Sequence, residues 1–237
     1  MADYQEQRER DYQNILVKRF KEELGYTYLG NWQYAKGATT NDMGKQNSPI
    51  LDDEVRAFLK KQGRTEMQIE DVLLQLKNKA RLGDPKMSSL AQCNTELYET
   101  LIMGIKSQPS PEENHEDVLL FDFDNISNNR FSIAEEVSYI DPLLGKNKRP
   151  DIVVYVNGIA LAVIELKRSL VNYEEGIKQH LSNQRDFIPS FFTTTQFTIA
   201  SNDGVDFRYG TIGTPLAFWC KWKKDTNKTG ETLTEKE

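Results

Sequence analysis

Two apolar runs, DIVVYV (151–156) and IALAVIEL (159–166), are separated by Asn157-Gly158 alone, and no other feature constrains the fold as strongly. Asparagine and glycine both tolerate the positive φ angles of a two-residue turn, so the pair predicts a tight antiparallel hairpin. Neither run alternates apolar with polar residues. Strands of this kind are covered on both faces, so the chain must supply packing layers above and below a central sheet.

The remaining sequence offers those layers. Residues 5–24 place Tyr12, Ile15, Leu16, Phe20 and Leu24 near helical spacing before Gly25. A mostly helical stretch, about 37–108, contains ILDDEVRAFLKKQG ending at Gly63, a helix opened by Thr65, and a third over 87–105. The Pro- and acid-rich SQPSPEENHED then marks a boundary. Strand periodicity follows at 118–124, 130–140, 196–202 and 205–210 (the last two around Asp203-Gly204) and at 215–223; residues 26–34 suit a strand or a loop. A helix is expected from Tyr173 to Phe187, before Pro189. The fold class is therefore α/β, a mixed central sheet flanked by helices, with a helical insertion at about 37–108. One domain spans 1–225; 226–237 is a disordered tail or linker.

Composition removes several function classes. Cys93 and Cys220 lie far apart with no CxxC spacing, so two buried thiols are expected rather than a zinc or disulfide framework. His115 and His180 are the only histidines, too few for a histidine-rich metal site and poor material for a Ser-His-Asp triad. His115 lies in a polar run and is expected at the surface. No apolar run is long enough to span a membrane and the first residues are charged, which predicts a cytoplasmic protein. The net charge is −6, carried by residues 1–142 at −8 against +2 for 143–237. Phosphate contacts belong in the second part, and tight DNA binding needs help from outside the chain.

The hairpin also carries the chemistry. Asp151 opens the first strand and Glu165 closes the second, so an antiparallel pairing brings both carboxylates to one end of the sheet. Lys167, two residues on, shares the face of Glu165. Adjacent carboxylates repel, and a hard cation such as Mg²⁺ resolves the repulsion. The cation polarises a phosphoryl oxygen and acidifies water, while a lysine orients that water. Glu-x-Lys alone is common at solvated strand ends; the combination with Pro150-Asp151 and the hairpin is far more specific. Among nearby basic residues, Arg149 and Arg168 are candidate DNA contacts, although a solvated face is the commoner role for such charges.

The segment RPDIVVYVNGIALAVIELKRS resembles the PD-(D/E)xK nuclease motif in the form found in restriction (R) subunits of type I restriction-modification enzymes. The likeness extends to ERDYQNILVKRF, NNRFSIAEEVSY and SNDGVDFRYGT. It implies a restriction-endonuclease-like core at the N-terminus of a longer motor subunit. Asp151 and Glu165 would hold Mg²⁺ with the Leu166 carbonyl, and Lys167 would act on the attacking water. A glutamate of the first helix, Glu9 or alternatively Glu6, would join them; an exposed charge is an equal reading of either. The family's Gln-x-x-x-Tyr pattern maps onto Gln179 and Asn183, with asparagine where tyrosine is usual. Gln179 would bond a phosphate or the site lysine, and Asn183 and His180 are candidate DNA contacts, His180 otherwise being structural. The implied partners are double-stranded DNA and the methylation and specificity subunits. ATP belongs only to the motor, because no G-x-x-x-x-G-K-[ST] sequence is present here. Two rivals stay open: a binding module with a degenerate site, and a stand-alone nuclease.

Overall fold

The computed structural model describes residues 2–41, 44, 46–83, 89–108, 114–167, 172–202 and 206–222, without the side chains of 2–9 and 206. In chain order the helices are α1 (Ala2–Glu22), α2 (Asp52–Lys61), α3 (Glu66–Lys79), α4 (Leu90–Met103) and α5 (Tyr173–Ser182). The strands are β1 (Thr27–Asn31), β2 (Ile105–Ser107), β3 (Glu116–Val118), β4 (Phe131–Glu135), β5 (Tyr139–Ile140), β6 (Asn147–Lys148), β7 (Ile152–Val156), β8 (Ile159–Lys167), β9 (Phe197–Asn202), β10 (Asp206–Gly210) and β11 (Cys220–Lys221). Seven of them form one sheet, ordered β1-β4-β7-β8-β9-β10-β11. The β1–β4 and β8–β9 pairs are parallel and the others antiparallel, so the sheet is mixed as expected. No helix among the described residues is long and apolar enough to cross a membrane.

The two apolar runs form the centre of this sheet. Ile152 and Ile164 pack with Tyr12 of α1, Ile133 and Leu166 on one face. Val153, Tyr155, Ala160 and Val163 pack on the other with Ile188, Phe191 and Phe192. Double coverage explains why these strands lack a polar face. The turn is as expected, with φ of 49° at Asn157 and 83° at Gly158. One feature was not legible: pairing steps from Tyr155↔Ala160 to Val154↔Ala162, leaving Leu161 as a bulge. Asp151 stands six residues before Asn157 and Glu165 seven after Gly158. The bulge absorbs the difference, so the step beyond Ile152↔Ile164 sets Asp151 opposite Glu165.

Helices α2, α3 and α4 share a core with Val156 and Ile159 at the hairpin's turn. Their termini follow capping rules. Thr65 and Gln68 form a capping box on α3, Ser89 caps α4, and α2 has acidic residues in its first turn and lysines in its last.

Several segments depart from expectation. Residues 118–124 are not a strand; β3 stops at Val118 because the following backbone bonds to side chains instead. The Asp122 amide donates to Asn129 Oδ1 and the Asn125 amide to Asp122 Oδ1, closing a looped segment. Residues 130–140 split into β4 and β5 at Glu136, whose φ is 53°. The segment expected as a strand at 215–223 is mainly a 3-10 turn at Leu216–Phe218 after Pro215, followed by β11. The helix expected over 87–105 ends at Met103, and Ile105 joins β2. The helix from Tyr173 changes at Asn183 to a π-helical turn, Asn183–Phe187, before Pro189. Cys93 is buried but Cys220 is exposed, correcting the expectation of two buried thiols; His115 is exposed. The Asp203-Gly204 turn and the 226–237 tail lie outside the described residues.

Candidate active site

The open end of the β7–β8 hairpin brings Asp151, Glu165 and Lys167 together. Asp151 Oδ2 accepts the Leu166 amide at 2.7 Å, which fixes the first carboxylate against the backbone beside the second. Glu165 is completely buried. Such a charge is tolerated only where hydrogen bonds and counter-charges surround it. Gln179 Nε2 donates to Glu165 Oε2 at 2.6 Å and Asn183 Nδ2 to Oε1 at 3.3 Å. The two amides come from successive turns at the end of α5, so residues four apart grip one carboxylate. Lys167 Nζ donates to the Leu166 carbonyl at 2.8 Å.

Close helix packing makes this possible. A Cβ at Gly176 would lie 3.1 Å from Ala200 Cβ and 3.6 Å from Lys167 Cγ. Glycine there lets α5 settle onto β8 and β9, within reach of Glu165. An open cleft of about 750 Å³ lies elsewhere, at the hairpin's turn, lined by residues including Trp32, Asp52, Lys77 and Arg130. Neither Asp151 nor Glu165 lines it.

His180, beside Gln179, is not a DNA contact: its ring is fully buried, and Nε2 meets the Ile199 carbonyl at 2.8 Å. It packs against Trp219 and Phe192. Burial pushes its pKa down to about 4, opposed by the Ile199 carbonyl and aided by the Lys167 charge. Asn183 is likewise corrected. It is fully buried and its amide faces Glu165, with its Oδ1 lacking a hydrogen-bond partner. Gln179 bonds Glu165, where the expectation was a phosphate or Lys167. Arg149 is half exposed and its Nε meets Glu136 Oε2 at 2.6 Å. Arg168 and the side chains of Glu9 and Glu6 lie outside the described residues.

The sequence reading missed an adjacent acidic pair. Glu135 accepts from Tyr28 Oη at 2.7 Å, Gln13 Nε2 at 3.0 Å and Asn31 Nδ2 at 3.4 Å. Burial, then the hydrogen bond to Glu135 and its charge, hold the Tyr28 hydroxyl well above the usual phenol range. Glu136 pairs with Arg10 and Arg149. The available signal was two consecutive acids closing an apolar run in NNRFSIAEEVSY.

Among the described residues no group of three or more His, Cys, Asp or Glu gathers as a metal cluster. The donor set at the hairpin end is two carboxylates and the Leu166 carbonyl, all hard oxygen atoms. That set suits Mg²⁺, which keeps several of its own waters. The Leu166 carbonyl accepts from Lys167 Nζ.

Residues 6–217 match the family described as the type I restriction enzyme R protein N terminus. The chain is 25% identical over 224 residues to the type I restriction enzyme HindI endonuclease subunit of Haemophilus influenzae, covering 91% of this chain and 20% of that protein. It is 34% identical over 129 residues to a Methanocaldococcus jannaschii protein named for the endonuclease subunit of the type I restriction enzyme MjaIXP, covering 52% and 12%. The chain thus spans a fifth or less of the length of these relatives.

Proposed function

The chain belongs to the family of type I restriction enzyme R protein N termini, and from that premise we propose that it is a Mg²⁺-dependent endonuclease domain. Its substrate is double-stranded DNA, and it works within a longer subunit whose ATP-driven motor lies outside these residues. Methylation and specificity subunits supply recognition of the site. The observation that carries this reading is the pairing of Asp151 with a buried Glu165 beside Lys167 at one sheet end.

Each residue has a distinct task. Asp151 and Glu165 present oxygen ligands, with the Leu166 carbonyl as a third. When bound, Mg²⁺ supplies Lewis-acid polarisation of a phosphoryl oxygen and acidifies water. Lys167, now on the Leu166 carbonyl, orients the attacking water and offsets charge developing on the phosphate. Gln179 and Asn183 hold the Glu165 carboxylate in one plane, so its remaining lone pairs keep a fixed direction.

The decisive experiment uses the full-length subunit assembled with its partners. Asp151→Ala, Glu165→Ala and Lys167→Ala should each lower DNA cleavage on the order of 10²–10³-fold or more while ATP hydrolysis persists. Cleavage at the normal rate by any of the three rejects that residue's assignment, and by all three the nuclease reading.

A further inference from the structure

The residue after β4 has an uncommon backbone. Glu136 lies at φ 53°, a region that glycine enters freely and that costs other residues about 1 kcal/mol or more. Its amide donates to the Asp151 carbonyl at 2.8 Å, so this conformation is built directly onto the strand start that carries the first site carboxylate. The side chain is only 7% exposed, yet it carries a charge.

Two arginines converge on that charge. Arg10 NH1, from α1, lies 3.3 Å from Glu136 Oε1, and Arg149 Nε lies 2.6 Å from Oε2. Both arginines thus converge on one carboxylate, while its neighbour Glu135 takes its hydrogen bonds from the neutral groups of Tyr28, Gln13 and Asn31. The arginine side chains are 47% and 46% exposed. Each guanidinium has five N–H donors, and one nitrogen of each meets Glu136. Elsewhere the balance runs the other way: Arg56 faces both Glu66 and Glu70.

We propose that Arg10 and Arg149 form a docking site for one backbone phosphate of the DNA strand being cut, with Glu136 as its fixed brace. Planar guanidinium forks match the oxygens of a phosphodiester as well as those of a carboxylate. Arg149 is two residues ahead of Asp151, so a phosphate held here fixes where the strand lies relative to the metal ligands. In a chain of net charge −6, two half-exposed guanidinium groups beside the carboxylates give a phosphate attractive contacts at the point where they matter. The inference rests on the nuclease reading above and adds an anion site to it.

The test measures binding of a short DNA duplex to the 237-residue chain across a salt series, with Ca²⁺ present. Because both arginines hold one phosphate, Arg10→Gln/Arg149→Gln should reduce the salt slope by about 0.9 in total. Affinity should fall roughly tenfold, and the two single changes should be non-additive. In the full subunit KM should rise more than kcat falls. Glu136→Gln in the same background removes any orphaned buried charge, and binding should stay equally weak. Glu136→Gln alone keeps both arginines and deletes a negative charge, so affinity should hold or rise. A wild-type salt slope in the double variant overturns the site, as does a loss in Glu136→Gln alone that equals the double variant's. If the arginine variants bind normally while Asp151→Ala abolishes cleavage, the anion site is wrong and the nuclease reading stands. If they lose binding while Asp151→Ala cuts normally, the nuclease reading is wrong and the anion site stands.

Discussion

The two ends of the β7–β8 hairpin are built from the same pair of strands and opposite chemistry. At the turn the hairpin's own two residues are neutral and locked. Asn157 is buried, its Nδ2 donating to the Leu120 carbonyl and Asn129 Oδ1 while its Oδ1 accepts the Arg130 amide. The Leu51 amide donates to the Gly158 carbonyl at 2.8 Å, and the Ala160 amide to Pro49 at 2.9 Å. At the open end, ionised groups and side-chain amides face one another around Glu165, and one amide oxygen, Asn183 Oδ1, stays unpaired. The turn holds the register, and the register sets the distance between carboxylates. Stability should therefore be most sensitive at the first end and activity at the second.

The largest effect that tests this division is Gly158→Ala. A Cβ there would sit 2.5 Å from Glu54 Cβ and 2.8 Å from the Leu51 carbonyl, at a φ of 83°. A loss of about 4 kcal/mol is expected from clash and strain together, read as a lower urea midpoint. A variant as stable as the parent would break the claim that the turn is the anchor.

Next comes acid. His180 is held near pKa 4, below the value of about 6.5 expected when unfolded, so the native state resists protonation. Its contribution is complete above about pH 6.5 and is lost as pH falls from there through about 4, because the unfolded chain takes up the proton first. The shift corresponds to roughly 3 kcal/mol. Unfolding curves across that window should flatten in His180→Phe; an unchanged slope would show that other groups dominate.

The smallest and most discriminating change is Asn183→Leu. It removes a donor to Glu165 together with a buried unpaired acceptor, whose desolvation costs about 1–3 kcal/mol. The lost donation to buried Glu165 and the removed orphan acceptor are of similar size, so stability should change by less than about 1 kcal/mol while Mg²⁺ affinity and cleavage fall roughly tenfold. Stability and cleavage falling together would make Asn183 an ordinary packing residue.

Much of this was legible in the sequence, for identifiable reasons. Asn157-Gly158 has few alternatives to a tight turn, and a strand ending in Glu-Leu-Lys announces its polar end; β8 begins and ends at Ile159 and Lys167 as expected. The bulge at Leu161 was hidden because a wholly apolar strand has no alternation whose phase could slip visibly. The 118–124 segment mimics a strand, but Asp122, Asn125 and Asn129 offer its backbone other partners. Glu136 was missed because nothing in its side chain signals a left-handed backbone; the roles of Gln179 and Asn183 were misassigned because their shared partner Glu165 lies fourteen and eighteen positions away and one packing decision from being apparent.

The grip of Leu51 on Gly158 also sets an order of events during synthesis. Helices α2, α3 and α4 emerge from the ribosome well before the hairpin, yet Val156 and Ile159 belong to their core. Until those strands arrive, the helices expose the surface that the hairpin will cover, and the closing contacts join residues more than a hundred positions apart. The helical stretch is thus a waiting partner rather than an autonomous unit. Produced alone, it should need a substitute for the hairpin to remain soluble.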